Sequence, residues 1–211
     1  FLLMGRKAGP NFDWSKLKGS KIMSFRPGSN PDIFLEAALR KKGLDPKKDL
    51  TLVSNIGPAA RTGAWLAGQN DYATLEKQGK AFTLGAVGKE VGMVDYTVFT
   101  TTDAYLKKNR PAVQAWTQAV AKAQQYTAAA PAAELADLVG SYFTGLSKAE
   151  LVSAIERYQQ LQLWKKTPMV EKQAMDQLQD MLVQGGVLEA SKKVDYARFV
   201  DMGLVQNLAQ K

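Results

Sequence analysis

The chain has 211 residues, 45% of them hydrophobic, a formal net charge of +8, and neither cysteine nor histidine. Without those two residue types it forms no disulfide, holds no zinc through imidazole or thiolate, and runs no nucleophile–histidine chemistry. No apolar run approaches the roughly 18 residues that cross a bilayer, and Phe1-Leu2-Leu3-Met4 is too short for the leader core of about 7–15 apolar residues. These four residues read instead as a buried strand fragment. Lys21 to Phe25 is a second short apolar strand, Pro27-Gly28-Ser29-Asn30 a turn, and Pro31, at a first-turn position, opens a helix that Gly43 closes. Leu50 to Ser54 is the next strand, and the loop Asn55-Ile56-Gly57 opens another helix at Pro58. A strand–helix–strand unit of this kind places both loops at one edge of a parallel sheet, the edge where ligands bind.

Further along, Lys80 to Val87 alternates weakly as a strand, and the β-branched and aromatic run Asp95 to Thr101 reads as another. The rest reads as helix. Thr102 caps a short helix through Lys108, Pro111 begins a long one through about Tyr126, and Pro131 begins a third. Ser147-Lys148-Ala149-Glu150 has the spacing of a capping box, in which the serine oxygen and the glutamate carboxylate each take a backbone donor of the first turn. The helix that follows carries Leu151, Ile155, Tyr158 and Leu161 or Gln162 on one side. Thr167-Pro168 starts another helix, Gly185-Gly186 ends it, and Asp195 caps a last short one.

The positive charge is concentrated at the front. Residues 1–50 hold 11 basic side chains against 5 acidic ones, a surplus of 6 that leaves only +2 for the rest. Arg40-Lys41-Lys42 lies in the last turn of a helix, where cations complement the helix dipole. No helix-turn-helix, RNA-binding aromatic motif or zinc-finger spacing accompanies the charge, so nucleic acid is not the expected partner. A field that attracts small anions, or plain solubility, accounts for it. Asp and Glu are scattered along helices with no close pair at a strand end, and neither a catalytic pair, a metal ligand set nor a cofactor motif is read.

What the sequence retains is capture of an anion or a polar group. The start of a helix leaves backbone N–H groups unpaired, so Gly28, Ser29 and Asn30 can hold a sulfonate, phosphate or carboxylate oxygen. Gly28 admits a close backbone approach and Ser29 has a hydroxyl to donate, although Pro31 supplies no N–H and Ser29 or Asn30 serves equally as a plain N-cap. Arg61, one turn into the helix after Pro58, can clamp a planar oxyanion or pair with a surface carboxylate. Asn55 can contact a ligand or stabilise its own turn. Trp65 and Trp164 can stack on a ring or fill a core. Tyr96 and Thr97, at the start of the Asp95–Thr101 strand, are further candidates.

The wording of the run from Leu17 to Thr74 also resembles a family. Leu-Lys-Gly before a strand, RPGSNPDIFLEAALRKKGLDP, and LTLVSNIGPAARTGAWLAGQNDYAT look like the sulfonate, nitrate and thiamine-pyrimidine branch of ABC-importer substrate-binding proteins. The likeness continues through YTVFTTTDAYLKKNRPAVQAW and IERYQQLQLW to the C-terminal helices. The resemblance implies an α/β fold like that of type II periplasmic binding proteins: two lobes, each a mixed or parallel sheet flanked by helices, with a helical C-terminal region and a ligand held between the lobes. It implies that residues 1–16 leave the first lobe through a hinge, that 17–90 form the second lobe, and that 91–211 return to the first. A front segment on the order of 100 residues, expected of the first lobe, is not in this chain. Leu75 follows Thr74 directly, where the family continues with an aromatic-Glu-Pro stretch. Thr74 joins Gly28, Ser29, Asn30, Asn55 and Arg61 as the ligand-binding set that the resemblance favours.

The implied role is non-enzymatic: a periplasmic or extracytoplasmic protein that hands a small anionic or heteroaromatic solute to a membrane permease, without a cofactor. Two alternatives share the fold. An effector-sensing domain of a LysR-type regulator has about this length but different wording. A pyrimidine-synthase-like enzyme is tied to a histidine and a cysteine-rich motif that this chain lacks. Nothing in the sequence sets the oligomeric state.

Overall fold

The computed structural model describes residues 1–9, 11–56, 79, 81–205 and 208. The strand–helix–strand unit is present: β2 (Lys21–Met23) runs parallel to β3 (Thr51–Val53), with Ile22 opposite Leu52, and α1 (Asn30–Lys41) crosses between them. The apolar residues of α1 recur so densely that most of the helix is enclosed. Ile33, Phe34, Leu35, Ala37, Ala38 and Leu39 are all buried. Its C-terminus closes as the glycine predicts. Gly43 takes a left-handed φ of 77°, its N–H donates to the Arg40 carbonyl, and the Leu44 N–H reaches back to the Leu39 carbonyl at 3.0 Å. That paired arrangement satisfies carbonyls the helix would otherwise leave open. In the connector beyond it, the Asp45 N–H donates to the Asp49 carboxylate at 2.8 Å, and this bond, followed by that of Lys18, holds the Asp49 carboxyl below its usual range.

A second pair of strands, β1 (Leu2–Gly5) and β4 (Phe82–Ala86), runs antiparallel. Its register slips at Leu3/Met4, so that Leu84 has no opposite number. Gly5 belongs to that slip, because a Cβ there would lie 2.6 Å from Leu84 Cδ1. The short helix α2 (Val87–Val91) follows β4 directly and packs on α1, burying Val87 and Val91.

Among the described residues after 100 the α-helices are α3 (Asp103–Ala129), α4 (Ala132–Val139), α5 (Lys148–Gln160), α6 (Lys172–Gln184) and α7 (Tyr196–Phe199). Thr102 caps α3 by accepting the Tyr105 N–H at 3.2 Å. The two helices expected on either side of Pro111 form one rod that kinks at Asn109 (φ −126°, ψ 27°). Proline two residues later has no N–H and crowds the preceding turn, and at the kink the Asn109 side chain donates to the Tyr105 carbonyl at 3.2 Å. At α5 the capping box is complete: Ser147 Oγ accepts the Glu150 N–H, and the Glu150 carboxylate accepts the Ser147 N–H at 2.9 Å. Ser147→Ala is expected to destabilise the protein by about 1 kcal/mol in urea denaturation; an unchanged midpoint would show that the box contributes nothing.

Two expectations need correction. Asp95 to Thr101 carries no regular structure. Its composition suits a strand, but a strand exists only where a neighbour takes its backbone hydrogen bonds, and among the described residues none pairs with it. The helix expected from Thr167-Pro168 begins four residues later, at Lys172, with Glu171 extended before it. Pro168 falls instead in an irregular turn that the Lys165 ammonium ties to the Met169 carbonyl at 2.6 Å.

The chain divides into two compact units. The first comprises Phe1–Tyr96 with Glu171–Tyr196 and contains both strand pairs, α1, α2 and α6; the second comprises Thr97–Val170 with Ala197–Lys211. In the first, Met181 of α6 joins the α1 residues, Leu3, Trp14, Leu17, Leu44, Leu50, Val87 and Val91 in one core. The second has a smaller core in which Leu135 and Ala136 of α4 meet Leu151 and Ile155 of α5. No helix among the described residues is long and apolar enough to cross a membrane.

Candidate functional site

Where β2 ends, the chain must turn sharply to enter α1, and the loop that does so is held from beneath. Ser24 extends the ladder, its N–H donating to the Val53 carbonyl at 2.9 Å. The residue is only 1% exposed, so its hydroxyl needs an internal partner. It donates to Asp32 Oδ1 at 2.9 Å. Asp32 sits in the first turn of α1 and is 5% exposed; its second oxygen, Oδ2, accepts the Gly28 N–H at 3.1 Å. A buried carboxylate is tolerable here because it has two donors and lies at the positive end of a helix.

The outer part of the loop folds on itself. Ser29 gives both its N–H (3.0 Å) and its hydroxyl (2.6 Å) to the Arg26 carbonyl, and its side chain makes no capping bond to the helix. Gly28 is left-handed, with φ 76°, and a Cβ there would meet Val187 Cγ2 at 3.3 Å. Gly28→Ala is expected to lower stability by about 1–2 kcal/mol through backbone strain. A thermal melt that shows no change would mean that the loop relaxes freely.

Met23 lies opposite Val53, so the loops leaving β2 and β3 start side by side. Gly28, Ser29 and Asn30 occupy the first loop and the start of α1, and Asn55, exposed, lies two residues beyond β3. The strand ends thus place four of the six sequence candidates at one sheet edge. Arg61 and Thr74, with Trp65, lie outside the described residues. The donors expected of Gly28 and Ser29 are engaged within the loop, whereas Asn30 makes no side-chain hydrogen bond to the described residues. Trp164 belongs to the second unit, where it packs on the α4–α5 core and stands edge-on to Tyr158 at 5.6 Å. Thr97 also falls in the second unit, whereas Tyr96 falls in the first.

An aromatic cluster beside this edge was not legible as such in the sequence. Phe34 is its buried base, 5.8 Å from Tyr96 and 6.1 Å from Phe1. Phe1 in turn lies 5.8 Å from Tyr96 and 5.9 Å from Phe25, the residue between Ser24 and Arg26. Phe1, Phe25 and Tyr96 keep 45%, 37% and 50% of their surface exposed. Phe25 reads in sequence as the end of a strand; its place in the loop follows only from Ser24 turning inward.

A cavity of about 320 Å³ lies on the other half of α1, against α6. Its charged side chains are engaged in part: Arg40 Nη2 with Glu36 at 2.5 Å, Lys41 with the Val91 carbonyl at 2.8 Å, and Asp180 with Lys193 at 2.6 Å, while Arg40 Nη1 is buried without a hydrogen-bond partner. No cluster of acidic side chains suited to a metal ion occurs among the described residues.

Three comparisons bear on this arrangement. Residues 4–134 match a family described as NMT1/THI5 like. YtlA, a proposed binding protein of Bacillus subtilis strain 168, is 29% identical over 217 aligned residues, which take in 99% of this chain and 64% of YtlA. The crystal structure of the periplasmic aliphatic sulphonate binding protein SsuA from Escherichia coli superposes with a TM-score of 0.69 at 19% identity, over 95% of this chain and 64% of SsuA. The chain therefore spans 64% of the length of each relative. Both relatives are described as binding proteins, and the structural likeness establishes the α/β fold expected from the sequence.

Proposed function

The chain belongs to the NMT1/THI5-like family, and from that membership we propose that it is the solute-binding component of an ABC importer. It works outside the cytoplasm, in the periplasm or its extracytoplasmic equivalent. There it takes up a small anionic or heteroaromatic organic solute, of the sulfonate, nitrate or thiamine-pyrimidine kind, and passes it to the membrane permease. Residues 17–90 form the solute-binding lobe, 1–16 lead into it, and 91–211 return to the other lobe. The solute lies at the carboxyl edge of β2 and β3, against the loop of Gly28, Ser29 and Asn30, with Asn55, Arg61 and Thr74 completing the set.

One observation carries this reading: two parallel strands end side by side, and the first of the loops they feed is fastened to a buried carboxylate. A loop fixed before the solute arrives loses little conformational freedom on binding, which favours affinity. The fold relative binds aliphatic sulphonates by its description, and the surplus of basic residues in positions 1–50 suits the same class of solute.

Native mass spectrometry of the purified chain, followed by thermal shift against ethanesulfonate, nitrate and a 4-aminopyrimidine, tests the proposal. A retained small molecule, or stabilisation that grows with solute concentration, is expected. No retained mass and no shift with any of the three would overturn it.

A further inference from the structure

We propose that the cavity between α1 and α6 is a second ligand site, suited to a small organic carboxylate: Arg40 and Lys41 take the carboxylate, and the apolar body lies on Ala37 and Met181. The site stands at the opposite end of α1 from the Gly28 loop and does not depend on the solute reading.

The cavity measures about 320 Å³, at the lower end of the roughly 300–1,000 Å³ typical of small-molecule sites. Two of its lining residues, Ala37 and Met181, are apolar and only 4% and 5% exposed. Methionine fills irregular gaps and adapts to a neighbour's shape. An inorganic anion would gain nothing from that wall, whereas a hydrocarbon body would lose water on it.

The charges around the cavity do not cancel. Glu36 takes Nη2 of Arg40 at 2.5 Å, and Lys193 holds Asp180 at 2.6 Å. Lys41 gives one N–H to the Val91 carbonyl at 2.8 Å, and no carboxylate among the described residues matches its charge. Three cations thus face two anions, a surplus of one. Arg40 Nη1 is buried and has no acceptor. A buried charged donor in that position is costly, and an oxyanion that reaches it removes the cost. Rotation of the guanidinium about its last side-chain bonds brings Nη1 from its covered position to the cavity wall that Arg40 already forms.

Both α1 and α6 end here, and the negative ends of their dipoles oppose an anion. Those ends are capped, however. The N–H groups of Lys42, Gly43 and Leu44 reach back onto α1, and those of Gly185, Gly186 and Val187 onto α6. Bonded carbonyls present less partial charge, so the whole charge of Lys41 and the second nitrogen of Arg40 outweigh them. A carboxylate has one oxygen for each of these two groups. The further charge of a phosphate would meet Glu36 and Asp180.

Backbone-amide NMR titration of the chain with hexanoate and with hexanamide, which share a hydrocarbon body and differ in charge, tests the proposal. Hexanoate is expected to shift the amides of Ala37, Lys41, Gln177 and Met181 and to bind at least tenfold more tightly than hexanamide. Arg40→Gln should weaken hexanoate about tenfold and bring the two probes close together. Lys41→Gln, at an exposed position, should weaken it roughly threefold. Equal binding of the two probes would overturn the inference, as would unchanged affinity in Arg40→Gln or shifts confined to Gly28, Ser29 and Asn30. Should Arg40→Gln fail to fold, Lys41→Gln and the comparison of probes on the unmodified chain decide. Absence of saturable binding by hexanoate would defeat this site and leave the solute reading standing, and a solute panel without a hit would leave this site standing.

Discussion

Leu39→Ala is expected to reduce the unfolding free energy by about 3–5 kcal/mol, the upper part of the range for removing a buried leucine side chain. Leu39 is 0% exposed and belongs to the core of the first unit. It also anchors the end of α1. Its carbonyl receives the Leu44 N–H, and Leu39 and Leu44, both buried, supply the apolar contact that accompanies this type of helix ending. Alanine would therefore leave a cavity and loosen the cap together. Because whole domains are stable by only about 5–15 kcal/mol, the loss is a large share of the total and the variant should melt well below the parent. Urea denaturation reads the effect as a lower midpoint with an unchanged slope. A loss below about 1 kcal/mol would show that the core can collapse onto the gap, contrary to the packing described.

The second large effect is expected at Asp32. Asp32→Ala leaves the Ser24 hydroxyl and the Gly28 N–H without their acceptors. An orphaned buried donor costs about 1–3 kcal/mol. Ser24 is nearly inaccessible to water and Gly28 lies in an exposed loop, so the first should bear most of a total near 2–4 kcal/mol. A double-mutant cycle isolates the bond. Ser24→Ala with Asp32→Ala should destabilise by clearly less than the sum of the single changes, because removing both partners leaves no orphan at that contact. Additive losses would mean that the two side chains do not depend on each other.

Much of the architecture was legible because local chemistry dictates it. Pro31 and Gly43 bracket α1, Ser147 and Glu150 mark the start of α5, and Pro111 marks the kink of α3; each acts through backbone groups within a few residues of itself. Asp95 to Thr101 was misread for the opposite reason: strand formation depends on a partner that composition does not report. The site was legible in outline only. Gly28 and Ser29 were placed correctly at the strand-end turn, but their hydrogen bonds run inward, to Asp32 and Arg26. Asp32 itself looks in sequence like any acidic residue in a first helical turn. Its burial depends on Ser24, eight residues earlier, and on the register of β2 with β3. The rings of Phe1 and Tyr96 lie far apart in the chain and meet each other above Phe34.

The first unit is built from two stretches of chain, 1–96 and 171–196, with 74 residues between them. During synthesis, at about 5–20 residues per second, α1 and the strands therefore leave the ribosome several seconds before α6 exists to cover them. Met181, with Leu178 and Leu182 beside it, completes a core whose other members must wait, part of their apolar surface open to water and to other nascent chains. The first unit is thus the one most exposed to misassembly while it is being made. Substitutions that weaken α6 should reduce the yield of folded protein more than they reduce the stability of the molecules that do fold.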